Sequence, residues 1–482
     1  MITDELRHRI LDAFTLTPTA EQNRAIDVFT QFMADRHERA VMVMRGSAGT
    51  GKTTLAAAIV RALLSLQQHL VLLAPTGRAA KVFSLYAGHP AYTIHRRIYR
   101  QKSLEGGFNL NFNNARDTLF IVDEASMISL DGGFGEGSGL LEDLLQFVYS
   151  GSNCRLLLIG DRAQLPPVGE EDSPALMSGV LRLYGLHVAE CDLNEVLRQS
   201  RESGILFNAT VIRHMDGTQL PLIDFSFPDI TMVPGDELIE SLASSYSRVG
   251  MDDTIVVTRS NKRANIYNQG IRNTVLYREE QLCTGDRLMI VKNNYYWLAE
   301  SGLTSTERTG ATASLSFLAN GDMAVVRRVR NIHELYGFHF AEVTMTLPDY
   351  DDYELTATVL LDTLTSEAPA LTREQQEQLF EAVMADYADI PLKADRLKKV
   401  KNDRYYNALQ VKFAYAATCH KAQGGQWAHV YVDQGYMTDD MLSPAYIHWL
   451  YTAFTRATER LFLVNWPKTQ TVTVTTQPLP SF

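Results

Sequence analysis

The stretch that decides the fold is "AVMVMRGSAGTGKTTLAAAIVRALL", Ala40–Leu64. It opens with a short apolar run, Ala40–Met44, passes through Gly46-Ser47-Ala48-Gly49-Thr50-Gly51-Lys52-Thr53-Thr54, and continues as an Ala- and Leu-rich helical pattern. Strand, glycine loop and helix in that order carry the GxxxxGK[ST] spacing of a phosphate cradle. The glycines let backbone N–H groups close around phosphates, and the helix N-terminus adds its dipole. Lys52 is expected on the β/γ-phosphates of a bound nucleotide and the Thr53 hydroxyl on Mg²⁺. A glycine-rich turn with the same letters would lack the flanking strand and helix.

Other apolar runs recur outward from this one: 69–75, 118–126, 155–161, 254–258 and 429–433. Most end in a polar residue, where open parallel sheets place ligands, so the pattern predicts an α/β architecture. In "FIVDEAS", Asp123 follows four apolar residues at such an edge. A carboxylate there suits Mg²⁺ beside a P-loop, and Glu124 next to it suits a base for the attacking water. Two solvated carboxylates at a strand end would read the same without the P-loop. At this point a small-molecule kinase, an AAA+ machine and a helicase all stay open.

The 482 residues carry 45 basic and 56 acidic side chains, a net charge of −11. That excludes a basic nucleic-acid coat but leaves room for a local basic groove. The segment Lys393–Lys412, with Lys398, Lys399 and Lys401, is the basic candidate; a solvated helix face is the plain alternative. No apolar run approaches the ~18 residues of a membrane span, and the N-terminus lacks a signal-peptide core. Cys154, Cys191, Cys283 and Cys419 make no CxxC pair and no disulfide framework, which fits a reducing cytoplasm. In "ATCHKAQGG", Cys419 and His420 are neighbours. On a strand they would face opposite ways, so Cys419 reads as packing and not as half of a catalytic pair.

Eight further segments arrive in a fixed order: "LTPTAEQNRAI" (16–26), "APTGRAAK" (74–81), "TIHRRIY" (93–99), "VDEASMIS" (122–129), "IGDRAQLPPVG" (159–169), "LNEVLRQS" (193–200), "AATCHKAQGGQ" (416–426) and "LYTAFTRATERL" (450–461). With the P-loop, this series resembles the motifs of superfamily 1 B-type DNA helicases of the RecD-like and phage Dda-like kind, over about two-thirds of the chain. The resemblance implies an ATP hydrolase that translocates 5′→3′ on single-stranded DNA and unwinds duplex, in the setting of DNA replication, recombination and repair. It also implies a fold of two RecA-like P-loop motor domains, with an inserted pin hairpin and an inserted small β-barrel and helical domain.

Roles follow by matching position. Gln22 would read the adenine edge, Gln164 would sense the γ-phosphate, and Arg198 and Arg456 would be arginine fingers from the second motor domain. Gly424 would allow close approach to the nucleotide. Gln426 stands where many relatives have Glu and can still hydrogen-bond a ribose hydroxyl. Pro75, Thr76, Thr93, His95, Thr418 and His420 would face DNA. Phe108 and Phe112, alternating in the polar interval 100–117, would form the strand-separating pin. The expected organisation is a first motor domain over 1–185, the second over 186–284 and 408–482, and the insert over 285–407, including a helix over 372–387 capped by Thr372. The expected partners are single-stranded DNA and fork or duplex junctions, with the protein a monomer and no membrane involved. Two other readings are a translocase that does not separate strands and a non-catalytic nucleic-acid scaffold.

Overall fold

The computed structural model describes residues 2–14, 16–101, 108–130, 139–196, 202–300, 317–438 and 441–472. The first part of the chain forms β1 (Ala40–Gly46), β2 (His69–Ala74), β3 (Ala91–Thr93), β4 (Tyr99–Gln101), β5 (Phe108–Leu110), β6 (Thr118–Val122), β7 (Arg155–Gly160) and β8 (His187–Leu193). Six of these make a parallel sheet in the order β3-β2-β6-β7-β1-β8. Helices and loops cover both faces, which is why β1 and β6 are nearly unbroken apolar runs. The order sets the C-terminal ends of β1, β7 and β6 side by side, bringing the P-loop, the segment after Gly160 and Asp123-Glu124 to one edge.

Strand β8 pairs with β1 from Ala40↔His187 to Gly46↔Leu193. The first sheet therefore runs through Leu193 and not to 185 as the sequence suggested. The segment "HVAECDL" alternates in burial as an edge strand does, and that pattern hid it among the continuous apolar strands.

The second part contributes β9 (Ile230–Val233), β10 (Thr254–Thr258), β11 (Arg287–Ile290), β12 (Met323–Leu335), β13 (Phe338–Leu347), β14 (Tyr353–Leu360), β15 (Leu409–Phe413), β16 (Ala416–Thr418), β17 (Trp427–Asp433) and β18 (Ala457–Val464). A parallel sheet runs β16-β10-β17-β18-β9, and β11 to β15 close a barrel. The barrel extends past the expected limit at 407, because β15 pairs with both β11 and β14. Only Ala414 and Tyr415 separate β15 from β16, so two strands of different bodies read as one apolar segment. Tyr415 locks this joint: its hydroxyl donates to Asp286 (2.9 Å) and accepts from Arg278 (2.6 Å). Asp286 is fully buried and is also paired with Arg272 at 3.0 Å.

Beside the barrel, Thr372 caps helix Arg373–Asp386 through a capping box with Gln375. That helix and Lys393–Lys401 pack Leu379, Val383 and Val400 on Phe338, Phe340 and Leu360. Lys398 and Lys399 are exposed on it. In the pin interval β4 and β5 pair antiparallel, Tyr99↔Leu110 to Gln101↔Phe108. The turn between them and the Phe108 side chain lie outside the described residues, while Phe112 is 70% exposed. No helix among the described residues is long and apolar enough to cross a membrane.

Candidate nucleotide site and DNA-facing edge

Gly49 and Gly51 take φ of +77° and +79°, left-handed conformations that turn the loop's N–H groups inward before helix Lys52–Ser65 begins. Lys52 Nζ donates to the carbonyls of Gly46 (2.6 Å) and Ser47 (2.8 Å), and Thr50 Oγ1 to that of Ser47 (2.8 Å). A cavity of about 340 Å³ opens in front of the loop. The first motor lines it with Ser47, Ala48, Gly49, Gly51, Lys52, Thr53, Thr54, Asp123, Glu124 and Gln164. Gly424, Gln426 and Arg456 line it from the second. Arg198 lies outside the described residues.

Glu124 adopts φ 52°, ψ 38°, a left-handed backbone that costs a non-glycine residue about 1–3 kcal/mol and clusters at functional sites. Its N–H donates to Asp123 Oδ1 at 2.9 Å. Burial, and then the neighbouring Glu124 charge, push the Asp123 carboxyl up to about 7. Positive charge beside Asp123 would reverse that shift, and the Thr53 hydroxyl lines the same cavity. This donor set, one hydroxyl and one half-buried carboxylate beside a phosphate loop, suits Mg²⁺.

Gln164 joins the two sides. Its amide, oriented by its hydrogen-bonding surroundings, donates to Glu124 Oε2 (3.0 Å) and accepts from Arg456 Nη2 (3.2 Å). Arg456 is 2% exposed, and its remaining N–H groups reach the carbonyls of Thr452 (3.0 Å) and Gly425 (3.1 Å). Its planar fork is therefore pre-set toward the cavity.

Gln22 is placed differently from its expected role. It is 2% exposed and outside the cavity lining. Its oxygen accepts from Thr19 N (3.0 Å) in a capping box, and its nitrogen donates to the Thr50 carbonyl (2.9 Å). Both ends of the amide are thus engaged in bracing the P-loop, which leaves neither turned to a base edge in this geometry.

Farther along the same edge, after β2 and β3, Thr76 caps helix Gly77–Ala87 and Thr93 caps helix Ile94–Ile98, their hydroxyls accepting from Ala79 N (3.2 Å) and Arg96 N (3.3 Å). Pro75 and His95 are half-buried, and burial lowers the His95 imidazole. Thr418 ends β16. Cys419 and His420 then stand on a short helix, Cys419–Ala422, and not on a strand as expected. Cys419 is buried with Sγ 3.6 Å from the Trp449 carbonyl, and His420 is exposed. A Cβ on Gly424, whose φ of +77° already disfavours side chains, would sit 3.1 Å from Thr76 Oγ1 and crowd the approach of these two loops.

Contacts between motors include several residues that position alone did not single out. Arg78 stacks 4.1 Å over the Trp427 ring and donates to the Gln426 carbonyl (2.9 Å). Burial lowers its guanidinium. The barrel also reaches the first motor: Lys81 Nζ donates to the Pro348 carbonyl (2.8 Å) and pairs with Asp349 (3.4 Å). Beside it Tyr350 donates to Asp322, a fully buried carboxyl that burial pushes up to about 7. Arg78 and Lys81 both stand in "APTGRAAK", whose signal was there, but their partners lie some 270 to 350 residues away.

Known families match the two motors separately. Residues 18–219 match an AAA domain family, and 413–464 match the UvrD-like helicase C-terminal domain. The ATP-dependent RecD2 DNA helicase of Deinococcus radiodurans is 38% identical over 129 residues, 27% of this chain and 16% of that protein. The ATP-dependent DNA helicase dda of Enterobacteria phage T4 is 25% identical over 284 residues, 56% of this chain and 60% of that one. The chain is a relative of the RecD- and Dda-type superfamily 1 helicases. It thus spans less than two-thirds of either of these helicases' length. Among solved structures, one of two coordinating Pif1 helicases at forked double-stranded DNA has a TM-score of 0.47 at 15% identity, covering 95% of each chain.

Proposed function

We propose that this helicase relative is an ATP-dependent DNA helicase that moves 5′→3′ on single-stranded DNA and separates duplex ahead of it. The observation that carries the reading is the Gln164 bridge, which ties a strained carboxylate of one motor to a buried arginine of the other across a single cavity. In this reading Lys52 exchanges the Gly46 and Ser47 carbonyls for β/γ-phosphate oxygens. Glu124 orients and deprotonates the attacking water. Gln164 holds Glu124 in place and reports the γ-phosphate to Arg456. Arg456, with Arg198, faces the charge that spreads over the transferring phosphoryl group, where such arginines contribute about 10³–10⁵ in rate in other systems. Mg²⁺, held by Thr53 and Asp123, supplies neutralising charge on the phosphate oxygens when bound. Gly424 and Gln426 border the nucleotide from the second motor.

Single-stranded DNA would run along the edge that carries Pro75, Thr76, Thr93, His95, Thr418 and His420. Closing and reopening of the motors around ATP then changes the distance between two DNA grips, and the affinities for ATP and DNA are coupled. The deciding experiment offers forks with only a 5′ or only a 3′ single-stranded tail, alongside phosphate release with and without single-stranded DNA. DNA-stimulated hydrolysis with unwinding from the 5′ tail is expected. Unwinding from the 3′ tail alone would reverse the direction, and DNA-independent turnover without strand separation would remove the helicase reading.

A further inference from the structure

The nucleotide loop is gripped from behind by the second motor, at a residue that no role above uses. Helix Pro444–Phe454 lies against the segment that follows β7, and it does so through three side chains. His448 Nδ1 is 2.9 Å from the Ala163 carbonyl, and Thr452 Oγ1 accepts from Leu165 N at 2.7 Å. Between them Tyr451, 1% exposed, donates to Asp161 Oδ2 at 2.6 Å. The same hydroxyl accepts from Ala48 N, a P-loop amide, at 2.9 Å. Asp161 Oδ2 in turn lies 4.0 Å from Lys52 Nζ, and its Oδ1 accepts from Ala163 N at 3.0 Å.

We propose that Tyr451 is a positioning residue through which the second motor sets both the P-loop backbone and the counter-charge of Lys52. One phenol fixes two things the phosphate end of the site depends on: where the Ala48 amide points and where Asp161 stands relative to the lysine. Burial and the adjacent Asp161 charge hold the phenol well above its usual range, so it stays a neutral donor and acceptor at every working pH. A shift of helix Pro444–Phe454 when DNA is gripped therefore reaches Ala48 and Lys52 in one step, without passing through Gln164 or Arg456. The route is stiff because its central hydrogen bond, from Tyr451 to Asp161, is buried, and because the helix packs through Tyr446, Ile447, Leu450 and Phe454 in the core of its own motor. Tyr451 touches no reacting atom. It acts through Ala48 and Lys52, and the proposal rests on the helicase reading for its functional consequence.

Tyr451→Phe tests it by removing one oxygen while keeping the ring. Losing a buried hydrogen bond that involves a charged partner costs about tenfold in an equilibrium or rate. DNA-stimulated kcat should fall by about that factor, with KM for ATP and DNA-free turnover moving less than threefold. Asp161→Asn should lower DNA-stimulated turnover as well, and the double variant should be no worse than the worse single one, because both cut one route. Hydrogen exchange of the peptide around Ala48, measured without nucleotide or DNA, should speed up in Tyr451→Phe while peptides in β6 keep their protection. Equal loss of basal and stimulated turnover, additive effects in the double variant, or unchanged exchange at Ala48 would overturn the positioning role. A parent protein with no DNA-stimulated turnover would instead overturn the helicase reading, and the exchange measurement would still judge the Tyr451 contact.

Discussion

Gln164→Glu is the most searching single change at the nucleotide site. The side chains are nearly isosteric, yet the substitution puts a second carboxylate where an amide nitrogen now stands 3.0 Å from Glu124 Oε2. Two unit charges at that distance repel by roughly 5 kcal/mol at an effective dielectric of about 20, or about four pH units. Arg456, 3.2 Å from the other end of residue 164, offsets part of this but faces the wrong side to screen the new pair. The pair therefore keeps one proton through neutral pH, as closely spaced carboxylates do. A protonated Glu124 cannot take a proton from water. Gln164→Ala is the control, because it loses the bridge and adds no charge; it should lower DNA-stimulated turnover roughly ten- to a hundredfold. Gln164→Glu should fall at least about tenfold further at pH 7 and recover as pH rises and the shared proton leaves. Phosphate release at saturating single-stranded DNA, followed from mildly acidic to mildly alkaline pH, reads both. Superimposable pH profiles for the two variants would refute the placement of residue 164 against Glu124.

Other consequences are as direct. Lys52→Ala should abolish hydrolysis, while Glu124→Gln should keep nucleotide affinity and lose turnover; collapse of affinity in Glu124→Gln, read by fluorescent-nucleotide titration, would make Glu124 structural. Asp123 and Asp322 are both raised from 3.8 to about 7 in the folded chain, so the folded state binds more protons between those values. Thermal stability should accordingly fall as pH rises from about 4 toward 7 and level off above. Asp322→Asn should flatten part of that slope, and Mg²⁺ with ATP should flatten the Asp123 part; a parental melting curve independent of pH would contradict both burials. Replacing Phe108 and Phe112 with Ala should leave DNA-stimulated hydrolysis and streptavidin displacement from single strands near the parent's while duplex unwinding falls; a parallel fall would make these rings structural.

The P-loop was legible because its chemistry is local. A strand, a loop and a helix within Ala40–Leu64 contain the whole device, and Asp123 could be placed from four preceding apolar residues. The edge strand β8 was not legible, since half-buried alternation resembles a surface segment until its partner β1 is known. Strand β15 hid for the opposite reason: it runs into β16 with two residues between, and hydrophobicity does not say which of two bodies a strand joins. Gln22 illustrates a different limit. Its spacing ahead of the P-loop matched a role, but a side-chain amide has several hydrogen bonds to give, and only the packing of Thr19 and Thr50 around it shows where they go. The stacking of Arg78 on Trp427 and the grip of Tyr451 on Ala48 are tertiary events between residues some 350 to 400 positions apart, beyond any periodicity.

The two-residue joint between β15 and β16 has a mechanical meaning. A linker of flexible residues would act as a slack tether, stretching before it carried load. Ala414 and Tyr415 offer no such slack, and the hydroxyl of Tyr415 is pinned to Asp286, itself anchored by Arg272. The barrel is thus joined without slack to β16, which ends at Thr418 just ahead of the short helix Cys419–Ala422 and of Gly424 at the cavity. A displacement of the barrel would therefore reach the border of the cavity as movement of β16 and not be absorbed as stretch in a tether.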